Sequence, residues 1–249
     1  LEFRRVLFRS VHPLKKKWQY IIREENFLSL AGNLVIALFG IAGFALMARS
    51  LEANDFGQWV IFIAAGSFIE MFRFGITNTG LVRFLSGASA ENRRALIGAN
   101  TYIGIFSTLL ISISVFSCNL IFNESISHSG YRLFFRWYPL LALFNLPWNN
   151  ALLILQADRR FGKMLLLKSI NSVLFFLALL VHLFFLPMTI DQLVIVYLIV
   201  NALTSVVSLM TGWDGTKLIS NATADSKRTL LHFGKYTTFT LVGTNQIGR

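Results

Sequence analysis

The sequence predicts an all-α integral membrane protein of six transmembrane helices followed by a truncated seventh, and three observations carry that expectation. Hydrophobic residues make up 55% of the 249 and charged residues only 14%, whereas soluble domains usually carry about 25% charged residues. The mean hydropathy is +0.60. The apolar residues also fall in blocks of about 20, the length a helix needs to cross some 30 Å of hydrocarbon.

The blocks cover residues 28–47, 57–78, 96–116, 137–155, 164–186 and 193–213. A further block opens near Phe233 and is too short to cross before the sequence ends. At 100° per residue, polar and small side chains gather on one stripe of each block. The first block aligns Ser29, Gly32, Asn33, Gly40 and Gly43, and the second Gly66, Glu70, Arg73, Thr77 and Gly80. The third aligns Asn100, Gly104, Ser107 and Ser114, and the fourth Asn145, Trp148, Asn149 and Gln156. In the fifth the stripe holds Lys168, Asn171, Ser172 and His182; in the sixth, Asn201, Thr204, Ser205, Ser208 and Gly212. Small and hydroxyl residues favour close helix contacts in lipid. For the Asn-rich and charged positions, a wet central cavity explains the stripe equally well.

Lys and Arg are divided unevenly between the two sets of short loops. One side holds 15, including Lys15, Lys16, Lys17, Arg83, Arg93, Arg94, Arg159, Arg160 and Lys217, and the other holds Arg49, Arg132 and Arg136. By the positive-inside rule the N-terminus is expected on the cytoplasmic side. The formal charge of +11 does not point to nucleic acid, because the basic residues lie in loops between apolar blocks without an amphipathic surface or stacking aromatics. Cys118 is the single cysteine, which excludes an internal disulfide and a cysteine-based metal cluster. The first apolar block is long and lacks a small-residue cleavage site, unlike a secretory signal peptide.

Both ends read as foreign. Leu7-Phe8-Arg9-Ser10 can be encoded by CTC TTC CGA TCT, and the reverse complement of that string, read after one leading base, gives Gln246-Ile247-Gly248-Arg249. Residues 1–10 and 247–249 are therefore expected to be scars of one DNA adapter translated from opposite strands, outside the fold. Without them Lys+Arg falls from 23 to 19, Asp+Glu from 12 to 11, and the net charge from +11 to +8.

Specific motifs cluster around the second block. Ala48-Arg49-Ser50-Leu51-Glu52-Ala53-Asn54-Asp55-Phe56-Gly57 directly follows the first block, and Phe74-Gly75-Ile76-Thr77-Asn78 with Leu81-Val82-Arg83-Phe84 closes the second. Leu231-His232-Phe233-Gly234 opens the last. In order and spacing these resemble the polysaccharide flippases of the multidrug/oligosaccharidyl-lipid/polysaccharide transporter superfamily, over residues 27–246 and most specifically over 48–84. The resemblance implies a two-lobe, alternating-access transporter with two six-helix lobes, of which residues 11–231 would be the first and 232–246 the truncated start of the second. It implies a polyprenyl-diphosphate-linked oligosaccharide as cargo, with membrane lipids and polysaccharide assembly proteins as partners. One position departs from the pattern: the family often has an acidic residue two before Gly75, where this chain has Arg73.

Repeat-built transporters place their substrate near the midplane between repeats, so the candidate cavity residues are Arg73, Glu70, Asn33, Asn145, Asn149, Lys168, Asn171 and Asn201. Glu70 and Arg73 are charges deep within a block, which cost roughly 2.5–3.5 kcal/mol each on insertion scales. Their i, i+3 spacing lets them pair. They either neutralise each other, or Arg73 faces the cavity and grips the carrier diphosphate with its planar donors. Lys168 can snorkel to the headgroups or touch a phosphate at the cavity mouth. A lone His182 near a block end reads as packing before proton relay. An enzyme would need catalytic carboxylates or a metal site, but Glu52, Asp55, Glu124, His128 and Asp191 are scattered without ligand spacing. No cofactor is expected. A drug/cation antiporter of the same superfamily is the nearest alternative; it would favour an intramembrane acidic cluster, and a membrane glycosyltransferase or ligase is the next.

Overall fold

The computed structural model describes residues 25–247. Regular structure there is helical: α1 Glu25–Ser50, α2 Ala53–Leu85, α3 Ala90–Ile121, the short α4 Asn123–Ser127, α5 Arg132–Ala157, α6 Phe161–Phe184, α7 Ile190–Met210, a 3-10 turn over Thr216–Asn221, and α8 Ala224–Ile247. Five helices are long and apolar enough to cross a membrane: α1 from Leu30, α3, α5, α6 and α7. A sixth span is α2, if its two straight parts, Ala53–Gly75 and Thr77–Leu85, which meet at 41°, are taken together. Of the segments expected to be adapter scars, 1–10 and 247–249, only Ile247, the last residue of α8, lies within the described residues.

The helices overrun the apolar blocks at most ends. Hydropathy marks the stretch suited to hydrocarbon, but the backbone keeps its own hydrogen bonds through the polar flanks. So α3 begins at Ala90 and carries Glu91, Asn92, Arg93 and Arg94 before the apolar block opens, with the Ser89 hydroxyl accepting from the Asn92 N–H. At two ends the block overruns the helix. α6 stops at Phe184, just ahead of Pro187, whose ring disfavours helical backbone before it. α7 opens with a capping box, Thr189 and Gln192 each accepting from the other's backbone N–H. It stops at Met210, ahead of Gly212 and Gly215, which both take positive φ.

The last segment is helical well beyond its apolar block. Its helix starts at Ala224, nine residues before Phe233, because Thr223 and Ser226 form a reciprocal cap at its first turn. α8 is not among the helices apolar enough to cross, and it runs unbroken through the expected lobe boundary between residues 231 and 232.

Successive long helices run antiparallel, so one end of the bundle collects the basic loops around 86–89, 158–160 and 211–223. Chain neighbours are not always packing neighbours. α1 lies against α6 and only brushes α2, whereas α5 packs on α2, α3 and α7 and forms the centre. Burial agrees: 44% of the apolar window is buried in α5 and α7, against 17% in α1 and α6. Among the described residues three apolar clusters fill the interior, a small one with Leu155, Met164 and Leu167 and two larger ones. One, with Met47, Trp59, Phe62, Leu133, Leu141 and Leu193, lies toward the end opposite the basic loops. The other, with Phe74, Leu81, Ile97, Ile103, Leu153 and Leu230, lies toward the basic end. Outward faces are equally apolar, as with Leu34, Leu38 and Ile41 of α1 and Leu109, Ile113 and Phe116 of α3. Such continuous exposed apolar surface suits lipid and not water.

Ion pairs hold the helix ends. At the basic end Arg93 of α3 meets Asp158, just after α5, at 2.5 Å. At the opposite end Asp191 of α7 takes Arg132 at 3.1 Å, Arg136 at 3.5 Å and the Trp137 indole N–H at 3.0 Å.

Candidate functional site

Between the two larger apolar clusters lies a cavity of about 290 Å³. Helix α2 contributes Phe62, Ile63, Gly66, Ser67, Glu70 and Phe74; α5 contributes Leu141, Asn145, Trp148 and Asn149; α7 contributes Tyr197. Phe62 and Leu141 belong to one apolar cluster and Phe74 to the other, so the polar side chains form a band between two dry layers.

α5 supplies its part of that band from a continuous helix. Pro139 and Pro147 both sit inside it, and a proline removes an intrahelical donor and crowds the carbonyl four residues back. Near Pro147 the hydroxyl of Ser205, from α7, enters the backbone ladder. It accepts from the Trp148 N–H at 3.3 Å and donates to the Phe144 carbonyl. In an α-helix these two groups are i and i+4 partners. Near Pro139 the Ser112 hydroxyl of α3 donates to the Pro139 carbonyl at 3.2 Å. Side chains of neighbouring helices thus hydrogen-bond to the α5 backbone beside both prolines.

Glu70 and Arg73 form a contact pair at 2.5 Å, but the two point differently. Arg73 is buried at 2% exposure and is absent from the cavity wall. One terminal nitrogen of its guanidinium donates to the Thr108 hydroxyl at 3.0 Å and to the Ala142 carbonyl at 2.5 Å. The other donates to Glu70. The Phe74 ring lies 4.3 Å beneath the charge, a favourable cation–π geometry. Glu70 lines the cavity, its side chain 19% exposed, and its second oxygen accepts from the Tyr138 hydroxyl at 3.0 Å. Arg73 therefore ties α2 to α3 and α5, and Glu70 presents the carboxylate to the open space.

The other candidates divide into two sets. Asn145 and Asn149 share the cavity wall with Glu70. The Asn145 side-chain oxygen accepts from the Trp148 indole N–H at 3.2 Å, which fixes the indole. Among the described residues, neither the Asn149 amide nor the Ser67 hydroxyl has a hydrogen-bond partner, and both line the cavity. Asn171 and Asn201 instead join α6 to α7. Asn171 donates to the Asn201 oxygen at 3.2 Å and to Thr204 at 3.3 Å, and Asn201 donates to the Tyr197 carbonyl at 2.7 Å. Lys168 donates to the Asn33 oxygen at 2.9 Å, joining α6 to α1. These four hold helices together away from the cavity wall. His182 is buried and accepts from the Met188 N–H at 2.9 Å, bracing the α6–α7 turn.

Sequence reading missed Tyr138, Thr108, Ser67 and Tyr197. Thr108 and Tyr138 were visible only as isolated polar groups in apolar runs, and their value comes from contact with residues 35 and 68 positions away. No group of three or more His, Cys, Asp or Glu among the described residues could hold a metal ion.

Among the described residues the fold is all-helical, with five to six membrane-length helices. No family model, curated protein or solved structure matches the chain.

Proposed function

We propose that the protein moves a polyprenyl-diphosphate-linked oligosaccharide across the inner cell membrane by alternating access, with its N-terminus in the cytoplasm, and that this chain supplies one wall of the pathway. The observation that supports this best is a cavity with Glu70, Asn145 and Asn149 in its wall, at mid-depth in a bundle of membrane-length helices and between two apolar clusters. Intramembrane ionisable groups are costly and commonly mark a substrate path, and Glu70 opens onto this one. The motifs over residues 48–84 supply the cargo class.

Transport of this kind has no bond-making step, so no catalytic residue is assigned. The proline-containing stretch of α5 fits a moving part, since prolines within helices are sites of bending. The test is reconstitution of the protein carrying this sequence into vesicles loaded with a fluorescent lipid-linked oligosaccharide. Flipping is read as loss of fluorescence to an impermeant quencher, and it should exceed the rate in empty vesicles. A rate equal to that of empty vesicles, with insertion verified, overturns the reading.

A further inference from the structure

We propose that the cavity between α2, α5 and α7 receives a sugar ring of the cargo, and that the diphosphate is held elsewhere. The proposal rests on the transport reading and specifies which part of the cargo this wall meets.

The wall carries the chemistry that recognises a polyhydroxylated ring. Sugar hydroxyls both donate and accept. Facing them are the Glu70 carboxylate, an acceptor; the Asn149 amide, which does both; the Ser67 hydroxyl, which does both; and the amide donors of Asn145. The Asn149 amide is partly buried and has no partner among the described residues, so it gains from a ligand that satisfies it, whereas the Ser67 hydroxyl is exposed and free to bond. The apolar face of a sugar ring needs a flat aromatic surface, since its C–H edges carry the positive charge that a ring face attracts. Trp148 provides one, held by its bond to Asn145, and no other ring stacks on it among the described residues.

The same wall suits a diphosphate poorly. None of the described residues lining it is basic, and its single charged group is a carboxylate. The Arg73 guanidinium is spent on Glu70, Thr108 and Ala142 and does not reach the cavity. A multiply charged phosphate would lose its hydration there with no cationic partner to offset the cost. A monovalent organic cation is also less suited than a sugar, because the Glu70 charge is already matched by Arg73 at 2.5 Å.

The experiment uses the purified protein and follows tryptophan fluorescence during titration with methyl glycosides, inorganic pyrophosphate and tetraphenylphosphonium. Neutral glycosides should give a saturable change that disappears in Trp148→Phe, and Asn149→Ala should weaken it at least tenfold. Pyrophosphate and tetraphenylphosphonium should give no such change. A response to either of those two that depends on Asn149 overturns the proposal. The vesicle assay separates this failure from failure of the transport reading. Glycoside binding without flipping would remove transport and leave the sugar site. Flipping at unchanged rate and unchanged glycan preference in both Trp148→Phe and Asn149→Ala would remove the sugar site and leave transport. Slowed flipping in both variants, at normal protein levels, supports the proposal even where single glycosides bind too weakly to titrate.

Discussion

At the residue scale, Glu70 and Arg73 show how far spacing alone reaches. Three residues apart, they sit about 60° from each other around the helix at 3.6 residues per turn, near enough to pair yet far enough to face different neighbours. Glu70 falls on the cavity side; Arg73 falls on the side of α3 and α5. The pairing was legible in the sequence because two charges in an apolar run seldom stand alone. The direction was not, since it depends on which helices pack against α2. Removing one partner of a buried pair strands the other, at about 3–5 kcal/mol, whereas removing both costs less. Arg73→Ala should therefore lower thermal stability in detergent well below that of Arg73→Ala with Glu70→Gln. Equal melting temperatures for the single and double variants would contradict the pairing. Arg73→Lys should not restore full stability, because a single ammonium cannot replace a planar fork that reaches Glu70, Thr108 and Ala142 together. Ser205 offers a second test. Its hydroxyl bonds two backbone groups of α5 beside Pro147, so Ser205→Ala removes both bonds and should cost about 1–3 kcal/mol in thermal unfolding. An unchanged melting temperature would mean that the serine does not support α5 there.

At the element scale, the small-residue stripes separate once packing is known. Gly98 lies where the 3-10 turn docks on α3: an added Cβ would collide with the Leu218 carbonyl oxygen and lie 3.0 Å from the Ala222 nitrogen. Gly40, in α1, has nothing within 4 Å of such an atom. Gly98→Ala should thus destabilise by about 1–3 kcal/mol, the usual cost of overpacking. Gly40→Ala should be neutral or stabilise by up to about 1 kcal/mol through helix propensity. Thermal unfolding of the two variants side by side checks the sign of each. The sequence placed Gly40 on the packing stripe and did not single out Gly98, because a stripe shows which side of a helix is small and not which neighbour comes to it. The spans themselves were far more legible. An apolar block of about 20 residues has few other uses, and α1, α3, α5, α6 and α7 all coincide with one. Their ends were less so, because caps such as Thr223 with Ser226 and stops such as Pro187 act over single residues. The cavity fell between these cases. Asn145 and Asn149 stood out as amides in an apolar helix, but so did Asn171 and Asn201, which only tie α6 to α7. Composition cannot tell an amide that glues from one that waits for a ligand.

At the scale of the whole molecule, the distribution of charge makes a prediction about orientation. The basic end presents Arg83, Arg94, Arg159, Arg160, Lys217 and Arg228 as exposed side chains. Exposed cations beside a membrane favour the cytoplasmic face, where they remain on the side of synthesis and meet anionic headgroups. The opposite end carries the exposed turn of α4 and, just before it, Cys118 in the last turn of α3. Cys118 is only partly exposed, so it is better replaced by Ser and used as a clean background. Ser125 is exposed and makes no hydrogen bond among the described residues, and so offers an open site for a probe thiol at that end. Arg94 does the same at the basic end, whereas Arg93 is engaged by Asp158 and would disturb the helix joint. In intact cells a membrane-impermeant maleimide should label Ser125→Cys, and it should label Arg94→Cys only after the inner membrane is opened. The reverse pattern would mean that the basic loops face outward and that cargo would enter the pathway from the other side. Labelling of both in intact cells would place the two ends on one face, which helices crossing as an antiparallel bundle do not allow.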